Sequence, residues 1–538
     1  MTDHIKPLIQ TTSQQTDDRE PNAERQTTLR AAYEANLAQS RPAYDAVRIW
    51  TLGEFLWLRR ERGWMSGASF EAKSTVDLRG AELTGVSLGP LDLTGADLSG
   101  AALNGVNLSG AVLHGASLRE ATLISANLSG ARLAHANLTG AHLVSTDLSN
   151  AGLMGAILAG SDLSASVLTG AALTESVLTG ANLSGANLDR ASLRQAHAHQ
   201  ANFFGAVVTG VSVHGANLTS ANLSRANLQW STLTGADLSG ADLAQADLSR
   251  TNLADVNLSG ASLHRTDLSG AFLQDTTLRG ASLVEVDLSG ADLHASDLSD
   301  LDLSEANLSG ADLRGANLCG TILTGVRMNP ATRLANVRLD TRTRLGDLAW
   351  NDAPLAQVDW TPAARLGDEA AIAAAPNRRQ RIAAYRAAGR AYRGLAIALR
   401  SQGLLILASR YRLREQRLER RALRAERKYG AWFFSGLLDL VSGYGEEPGR
   451  TLIAYVTIVL GFAAAYVGVT HLVDSHLAKL TWDEALVLSL TSFHGRGFFP
   501  GSLPLGDWVA RLGAAEAVIG LFIELIFIAT FSRRFLGS

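Results

Sequence analysis

The sequence contains almost no cysteine, which limits how the fold can be cross-linked. Cys319 is the only cysteine among 538 residues, so no intrachain disulfide can form, which fits a reducing compartment. The first 30 residues lack a positively charged start followed by an apolar core, so they do not have the pattern of a signal peptide. They are polar, and we predict a disordered tail over residues 1–28.

Residue patterns that carry catalysis are absent as well. We find no Ser/His/Asp set, no glycine-rich phosphate loop and no Cys/His spacing typical of a metal site. We therefore predict a protein that is not an enzyme and that uses no cofactor or metal. His197 and His199 flank Ala198 in the repeat described below and could hold a metal. We favour the interpretation that they are ordinary exposed histidines. Cys319 is interpreted as a surface thiol.

The net charge of −3 conceals a strong segregation of charge. Residues 77–328 carry about 23 acids and 11 bases, whereas residues 378–428 carry about 16 bases and 3 acids. Such a basic segment indicates an anionic neighbour, either phospholipid headgroups or an acidic part of the same assembly. Nucleic acid is the alternative. Because an apolar segment follows about twenty residues later, the positive-inside rule favours lipid over nucleic acid.

A five-residue repeat runs from residue 78 to residue 328. A large apolar residue recurs at every fifth position, about 51 times, and Ala96-Asp97-Leu98-Ser99-Gly100 is a typical unit. In a continuous helix, five residues rotate by about 500°, so the leucines would move around the surface. In a continuous strand, an odd period would place successive leucines on opposite faces. The chain must therefore bend once per repeat, which predicts a solenoid.

These repeats resemble the pentapeptide-repeat family, whose pattern is A-(D/N)-L-x-x. The resemblance implies a right-handed, four-sided β-helix over residues 76–330, with four repeats per coil and with Leu and the Ala two residues earlier pointing inward. Where Ala198 replaces the central residue, the larger Phe203 follows and can conserve the core volume. Some members bind topoisomerases by imitating DNA, and we consider that function less favoured in a chain with membrane segments.

Both ends of a solenoid need caps, because they expose core and unpaired edges. We predict a helical N-terminal cap over residues 29–75 and a C-terminal cap and linker over residues 331–376, where Pro354 and Pro362 interrupt the repeat. Residues 377–450 then have helical apolar spacing with a turn at Gly403. This basic α-helical neck resembles a tetratricopeptide unit, with two helices packed as a hairpin.

The last segment, residues 451–538, contains two apolar runs long enough to span a membrane. Residues 451–472 and 512–532 are these runs. Bases precede the first and Arg533-Arg534 follows the second, so we predict a multi-pass protein of the cell (inner) membrane. Both termini and the β-helix are then cytoplasmic, with the intervening loop outside. Within that loop, residues 481–492 form a predicted helix that is too short to span.

This order of parts resembles the pore module of two-helix potassium channels, with an outer helix, a pore helix, a selectivity loop and an inner helix. The filter-like loop is residues 493–498, where Gly495 and Gly497 are kept and the family's Thr, Val and Tyr are lost. The resemblance implies a homotetramer whose pore and filter residues are Thr491, Ser492, Phe493, His494, Gly495, Arg496, Gly497 and Phe498. Arg496 could pair with Asp483, Glu484 or Glu516, or face the path and favour anions.

Three residues of the second apolar run are candidates for inner-helix functions. Glu516 and Glu524 place carboxyl groups in hydrocarbon, where such groups usually face a bundle interior or water. Glu524 could attract cations in an inner cavity, or both glutamates could hold helices together. Gly520 could be a gating hinge or a close-packing position.

The sequence therefore predicts a multidomain protein, with a β-helix solenoid followed by a helical neck and an all-α two-helix pore module with a re-entrant loop. The leading functional interpretation is an oligomeric ion channel. Its expected partners are membrane lipids, permeating ions and further copies of the chain, with a ligand or protein at the β-helix. The alternative is a membrane-anchored scaffold that binds a protein partner, although a simple tether has no use for the short helix and the Gly495–Gly497 loop.

Overall fold

The structure is a computed structural model that describes residues 23–28, 31, 77–363, 365–472, 479–495 and 507–532. It divides into two compact units, Met1–Arg338 and Leu339–Ser538. The predicted N-terminal cap over residues 29–75 lies outside the described residues apart from position 31. Within the predicted disordered tail, residues 23–28 are helical.

The first unit is a solenoid in which each coil contains four five-residue repeats. Parallel bridges join residues twenty apart, as between Asp97 and Ser117. The Leu98 N–H donates to the Ser117 carbonyl at 2.7 Å, and the Ser117 N–H donates to the Ala96 carbonyl at 2.8 Å. The predicted β-helix solenoid with four repeats per coil is thus confirmed.

The core of the solenoid consists of the central large residue of each repeat and the small residue two positions earlier. Leu98 and Ala96 are both fully buried, and this alternation continues along the repeats. Ala198 and Phe203 are likewise buried. Where threonine replaces the inward alanine, its hydroxyl is satisfied, as when Thr146 Oγ1 donates to the Leu123 carbonyl at 2.7 Å.

The turns explain the residue preferences at two positions of the repeat. The Asp or Asn before the central Leu accepts a hydrogen bond from the N–H two residues on, as Asp97 does from Ser99 at 3.0 Å, which is an Asx turn. The last residue of the repeat has a positive φ, +64° at Gly100, which glycine adopts without strain.

The end of the repeats differs from the predicted boundary at residue 330. Asp312 pairs with Arg333, and Asn317 with Arg338, so the bridge spacing there is 21 residues. One residue is inserted near Asn329, whose side chain accepts a hydrogen bond from the Gly310 N–H at 2.9 Å. The alternation of bridge and turn resumes and continues to residue 349.

The histidines and the cysteine of the solenoid occupy outward positions. His197 is exposed, and His199 Nδ1 lies 2.6 Å from Thr219 Oγ1. Cys319 is half-buried. Among the described residues, no group of three or more His, Cys, Asp or Glu side chains is arranged to hold a metal ion.

The second unit is helical. After two short 3₁₀ turns it forms α1 (Ala370–Ala374), α2 (Arg378–Ser401), α3 (Leu405–Ala425), α4 (Tyr429–Ser442), α5 (Pro448–Leu472), α6 (Trp482–Phe493) and α7 (Trp508–Phe531). Helices α2 and α3 pack against each other. Gly403 lies between them with φ +76°. The sequence predicted two helices for the neck and did not separate α4 from them.

Buried aromatic and charged groups hold the neck together. Tyr392 and Tyr411 are fully buried and stacked, with ring centroids 6.0 Å apart. Burial raises the pKa of Tyr411 to about 12. Arg393 of α2 pairs with the buried Glu415 of α3 at 2.6 Å, so a part of the positive charge of the neck is neutralised within it.

Candidate functional site

The two long apolar helices, α5 and α7, have the length and composition of membrane spans. They contain 25 and 24 residues, and their most apolar 18-residue windows have mean hydropathies of 2.2 and 2.1. At about 1.5 Å per residue each exceeds the thickness of a hydrocarbon core. Only 17% and 22% of their most apolar windows are buried, with Val518 and Ile528 among the exposed side chains. Helices at the core of a soluble protein are usually buried.

Helix α6 is short and sharply delimited. Thr481 and Glu484 form a capping box at its start, and the Thr481 N–H donates to Glu484 Oε2 at 2.9 Å. His494 caps the other end, followed by Gly495 with φ +66°. Twelve residues extend over about 18 Å, which is too short to cross a membrane.

The start of α6 lies at the end of the α5–α7 pair where α5 finishes and α7 begins. Near its start, Ala485 packs in a cluster with Tyr466 of α5 and Val509, the second residue of α7. Near its end, Phe493 packs with Val459 of α5 and Ile523 of α7. Helix α6 therefore begins at that end of the pair and extends between the long helices toward their middle.

A buried hydrogen-bond network joins all three helices at Glu516. This residue of α7 is fully buried. Tyr466 of α5 donates its hydroxyl to Glu516 Oε2 at 2.8 Å, and Ser489 Oγ of α6 contacts Glu516 Oε1. Ser489 also donates to the Val459 carbonyl at 2.9 Å. Buried polar groups of this kind are costly unless partnered, so the network fixes the depth and rotation of α6.

Gly520 lets α7 contact the backbone at the end of α6. A Cβ at this position would lie 1.9 Å from the Phe493 carbonyl oxygen and 2.7 Å from its carbon. Any side chain would collide with main-chain atoms, which cannot rotate away. Of the two interpretations of Gly520, this contact fits the close-packing position.

A second polar cluster lies where α6 ends. His494 Nδ1 contacts Glu524 Oε1 of α7, and His494 Nε2 lies 3.2 Å from the Tyr455 hydroxyl of α5. A neutral histidine with its hydrogen on Nδ1 satisfies both contacts, because it donates to the carboxylate and accepts from the tyrosine. Glu524 keeps about a third of its side chain exposed.

The predicted filter residues are only partly within the described residues. Thr491 Oγ1 donates to the Val487 carbonyl of its own helix at 3.0 Å, and Ser492 is buried. Phe493, predicted to open the loop, is the last residue of α6 and is fully buried. Arg496, Gly497 and Phe498 are outside the described residues.

Sequence reasoning did not identify Tyr466, Ser489 and Tyr455. Each is a hydroxyl-bearing residue within a mostly apolar helix, which is the signal that could have drawn attention to them. Their partners depend on helix rotation, which the sequence alone does not specify.

Comparison with known proteins concerns the solenoid. The family described as Pentapeptide repeats matches residues 74–195 and 201–329 in overlapping segments. The intervening residues include Ala198, where the central leucine is lost. Residues 330–538 lie outside this match, and no curated protein matches the chain.

Three solved structures are similar to parts of the chain. HetL, a pentapeptide repeat protein involved in heterocyst differentiation regulation in the cyanobacterium Nostoc sp. strain PCC 7120, is 32% identical; the match covers 48% of this chain and 90% of HetL, with a TM-score of 0.17. Rfr23 from the cyanobacterium Cyanothece 51142 is 26% identical over 27% of this chain and 90% of its own, with a TM-score of 0.15. QnrB1, a plasmid-mediated fluoroquinolone resistance protein, is 17% identical over 42% of this chain and 93% of QnrB1, with a TM-score of 0.15.

Proposed function

Since this chain belongs to the pentapeptide-repeat family and carries two apolar helices long enough to span a membrane, we propose that it is an oligomeric membrane ion channel with a solenoid domain in the cytoplasm. Helices α5 and α7 are the spans, and α6 is a re-entrant pore helix. A single hairpin cannot enclose a conduction path, so the channel requires several copies. By resemblance to two-helix potassium channels, the assembly is a homotetramer.

The observation that carries this proposal is the position of α6. It is too short to span, begins beside Val509 at the start of α7 and ends beside Ile523 farther along the same helix. A membrane tether has no need of such an insertion. In a membrane, non-helical backbone at this depth is tolerated where it is buried in protein or lines water, which is the environment that Gly495, with its positive φ, would meet in a pore.

The direction of insertion follows from charge. The arginine-rich α2 and α3 precede α5, and Arg533-Arg534 follows α7, so the positive-inside rule places both termini and the solenoid in the cytoplasm of a cell (inner) membrane. The solenoid, which has an excess of acidic residues, would regulate opening by binding a ligand or protein. Potassium selectivity does not form part of the proposal, because the Thr, Val and Tyr of the potassium filter are replaced.

Currents from purified full-length protein in planar bilayers test the proposal. We expect discrete unitary currents under asymmetric KCl, with a conductance or reversal potential that changes in Glu524→Gln and in Arg496→Ala. Glu524→Gln removes the charge of a partly exposed carboxylate and retains an acceptor for His494. Arg279→Ala, a charge deletion on the solenoid, should leave the unitary conductance unchanged.

The reversal potential gives the sign of the permeant ion. If the wild-type protein is silent and its mass in detergent is that of a monomer or dimer, the channel proposal fails. The chain would then be better described as a membrane-anchored scaffold, the alternative function.

A further inference from the structure

Helix α4 has an exposed apolar stripe that no described residue covers. Tyr429, Phe433 and Leu440 leave 61%, 68% and 73% of their surfaces exposed. Because successive helical residues rotate by about 100°, the latter two lie within about 40° of Tyr429, so the three form one face. At 14 residues, or about 21 Å, the helix cannot cross a membrane.

The rest of α4 is held firmly, so the stripe has a defined direction. Asp439 is buried and pairs with Arg417 at 3.3 Å and Arg420 at 3.0 Å, both on α3. Val441 packs in the cluster of Phe493 and Ile523. The helix is therefore bound to the neck and to the hairpin by the sides that turn away from the stripe.

Contact with α7 places α4 beside the half of the hairpin in which α5 begins and α7 ends. The Phe434 ring lies 6.0 Å from that of Phe522 in an edge-to-face arrangement. Only five residues separate the end of α4 from Pro448, the first residue of α5. If α5 and α7 span a bilayer, this short connection to the start of the first span holds the C-terminal end of α4 near the level where hydrocarbon meets headgroups.

The composition around the stripe matches an anionic bilayer surface. Tyr, Trp and Phe occupy four of the first six positions of α4, and tyrosine and tryptophan concentrate at membrane interfaces. Arg424, Arg427 and Lys428 immediately precede the helix. The Arg424 guanidinium lies 5.7 Å from the Trp432 ring. Bases beside a surface helix are attracted to anionic headgroups, and its apolar face enters the acyl boundary.

We infer that α4 lies in the plane of the cytoplasmic membrane surface, with Tyr429, Phe433 and Leu440 immersed among the lipids and the basic residues at anionic headgroups. This inference rests on the spans of the proposed function but concerns a different surface. Helix α4 then contacts the lipid directly, the basic neck through Asp439 and the inner helix α7 through Phe434.

Spin labels on single cysteines test this position, and the chain suits the method because Cys319→Ser leaves no other cysteine. Phe433→Cys and Leu440→Cys probe the stripe in full-length protein, reconstituted in phosphatidylcholine vesicles with a minority of phosphatidylglycerol. Ile528→Cys on α7 is the reference for lipid exposure, and Thr277→Cys on the solenoid is the reference for water. All four positions are exposed, and the Asp439 cluster is untouched.

We expect the labels at 433 and 440 to collide more with oxygen than with a water-soluble nickel chelate, as the label at 528 does. Labels as accessible to nickel as that at 277, or closed to both reagents by a neighbouring copy, would overturn the inference. If only the label at 528 lies in lipid, the spans stand and the inference alone fails. If no label lies in lipid, the proposed function fails with it.

Discussion

Gly520→Ala should displace α6 and abolish the wild-type unitary current. The added methyl would lie 1.9 Å from the Phe493 carbonyl oxygen, and neither backbone can yield without moving a helix. Overpacking of this kind costs about 1–3 kcal/mol in well-packed cores. We expect a lower thermal midpoint for the detergent-solubilised protein, measured by intrinsic tryptophan fluorescence, together with loss of conduction in planar bilayers.

A second glycine of the hairpin provides the matched control. Gly461 on α5 is also helical, and a Cβ there meets nothing within 4 Å. Gly461→Ala should keep the midpoint and the current, because alanine favours helix and fills open space. Wild-type behaviour of Gly520→Ala would contradict the contact between α7 and the end of α6.

Breaking the Glu516 network should be almost as disruptive, whereas a neutral replacement of the same shape should not. Glu516→Leu leaves the buried Tyr466 hydroxyl without an acceptor, and an unsatisfied buried group costs about 1–3 kcal/mol. Glu516→Gln retains an acceptor for Tyr466 and adds a donor for Ser489. We therefore expect the unfolding midpoint to fall for leucine and to stay close to that of wild type for glutamine.

A double-mutant cycle separates this network from a general effect of losing the carboxyl group. Tyr466→Phe combined with Glu516→Leu removes both partners. The double variant should therefore lose less stability than the sum of the losses of the two single variants. Additive losses would mean that the 2.8 Å contact between Tyr466 and Glu516 contributes nothing to the stability of the protein.

The sequence predicts those parts of the fold that depend on residue patterns within a short stretch of chain. The five-residue period alone specifies a solenoid and its inward leucines, because each repeat must bend in the same way to bury Leu98 and its equivalents. The two apolar runs are helices, as predicted, and they begin three to four residues earlier than the apolar pattern does. Pro448 starts the first, since proline is accepted in the first turn of a helix.

Features that depend on how elements pack could not be predicted in this way. The basic composition of the neck conceals α4 as a separate helix, since its boundary lies in the residues from Glu426 to Lys428. The partners of Glu516 and Glu524 depend on the rotation of α5 and α6 about their axes, which an apolar run does not determine. For Gly520 the sequence left two interpretations, and the proximity of Phe493, which favours close packing, depends on how α6 and α7 pack.

The central claim is that α6 enters and leaves the membrane from the side opposite the neck. Thiol labelling in sealed, right-side-out vesicles tests it, with Lys479→Cys before α6, Trp508→Cys after the return and Arg421→Cys on α3, each in the Cys319→Ser background. We predict that a membrane-impermeant maleimide reacts with positions 479 and 508 from outside, and with position 421 only after permeabilisation. Labelling of 479 and 508 from opposite sides, or of 421 together with 479 in sealed vesicles, would contradict the account.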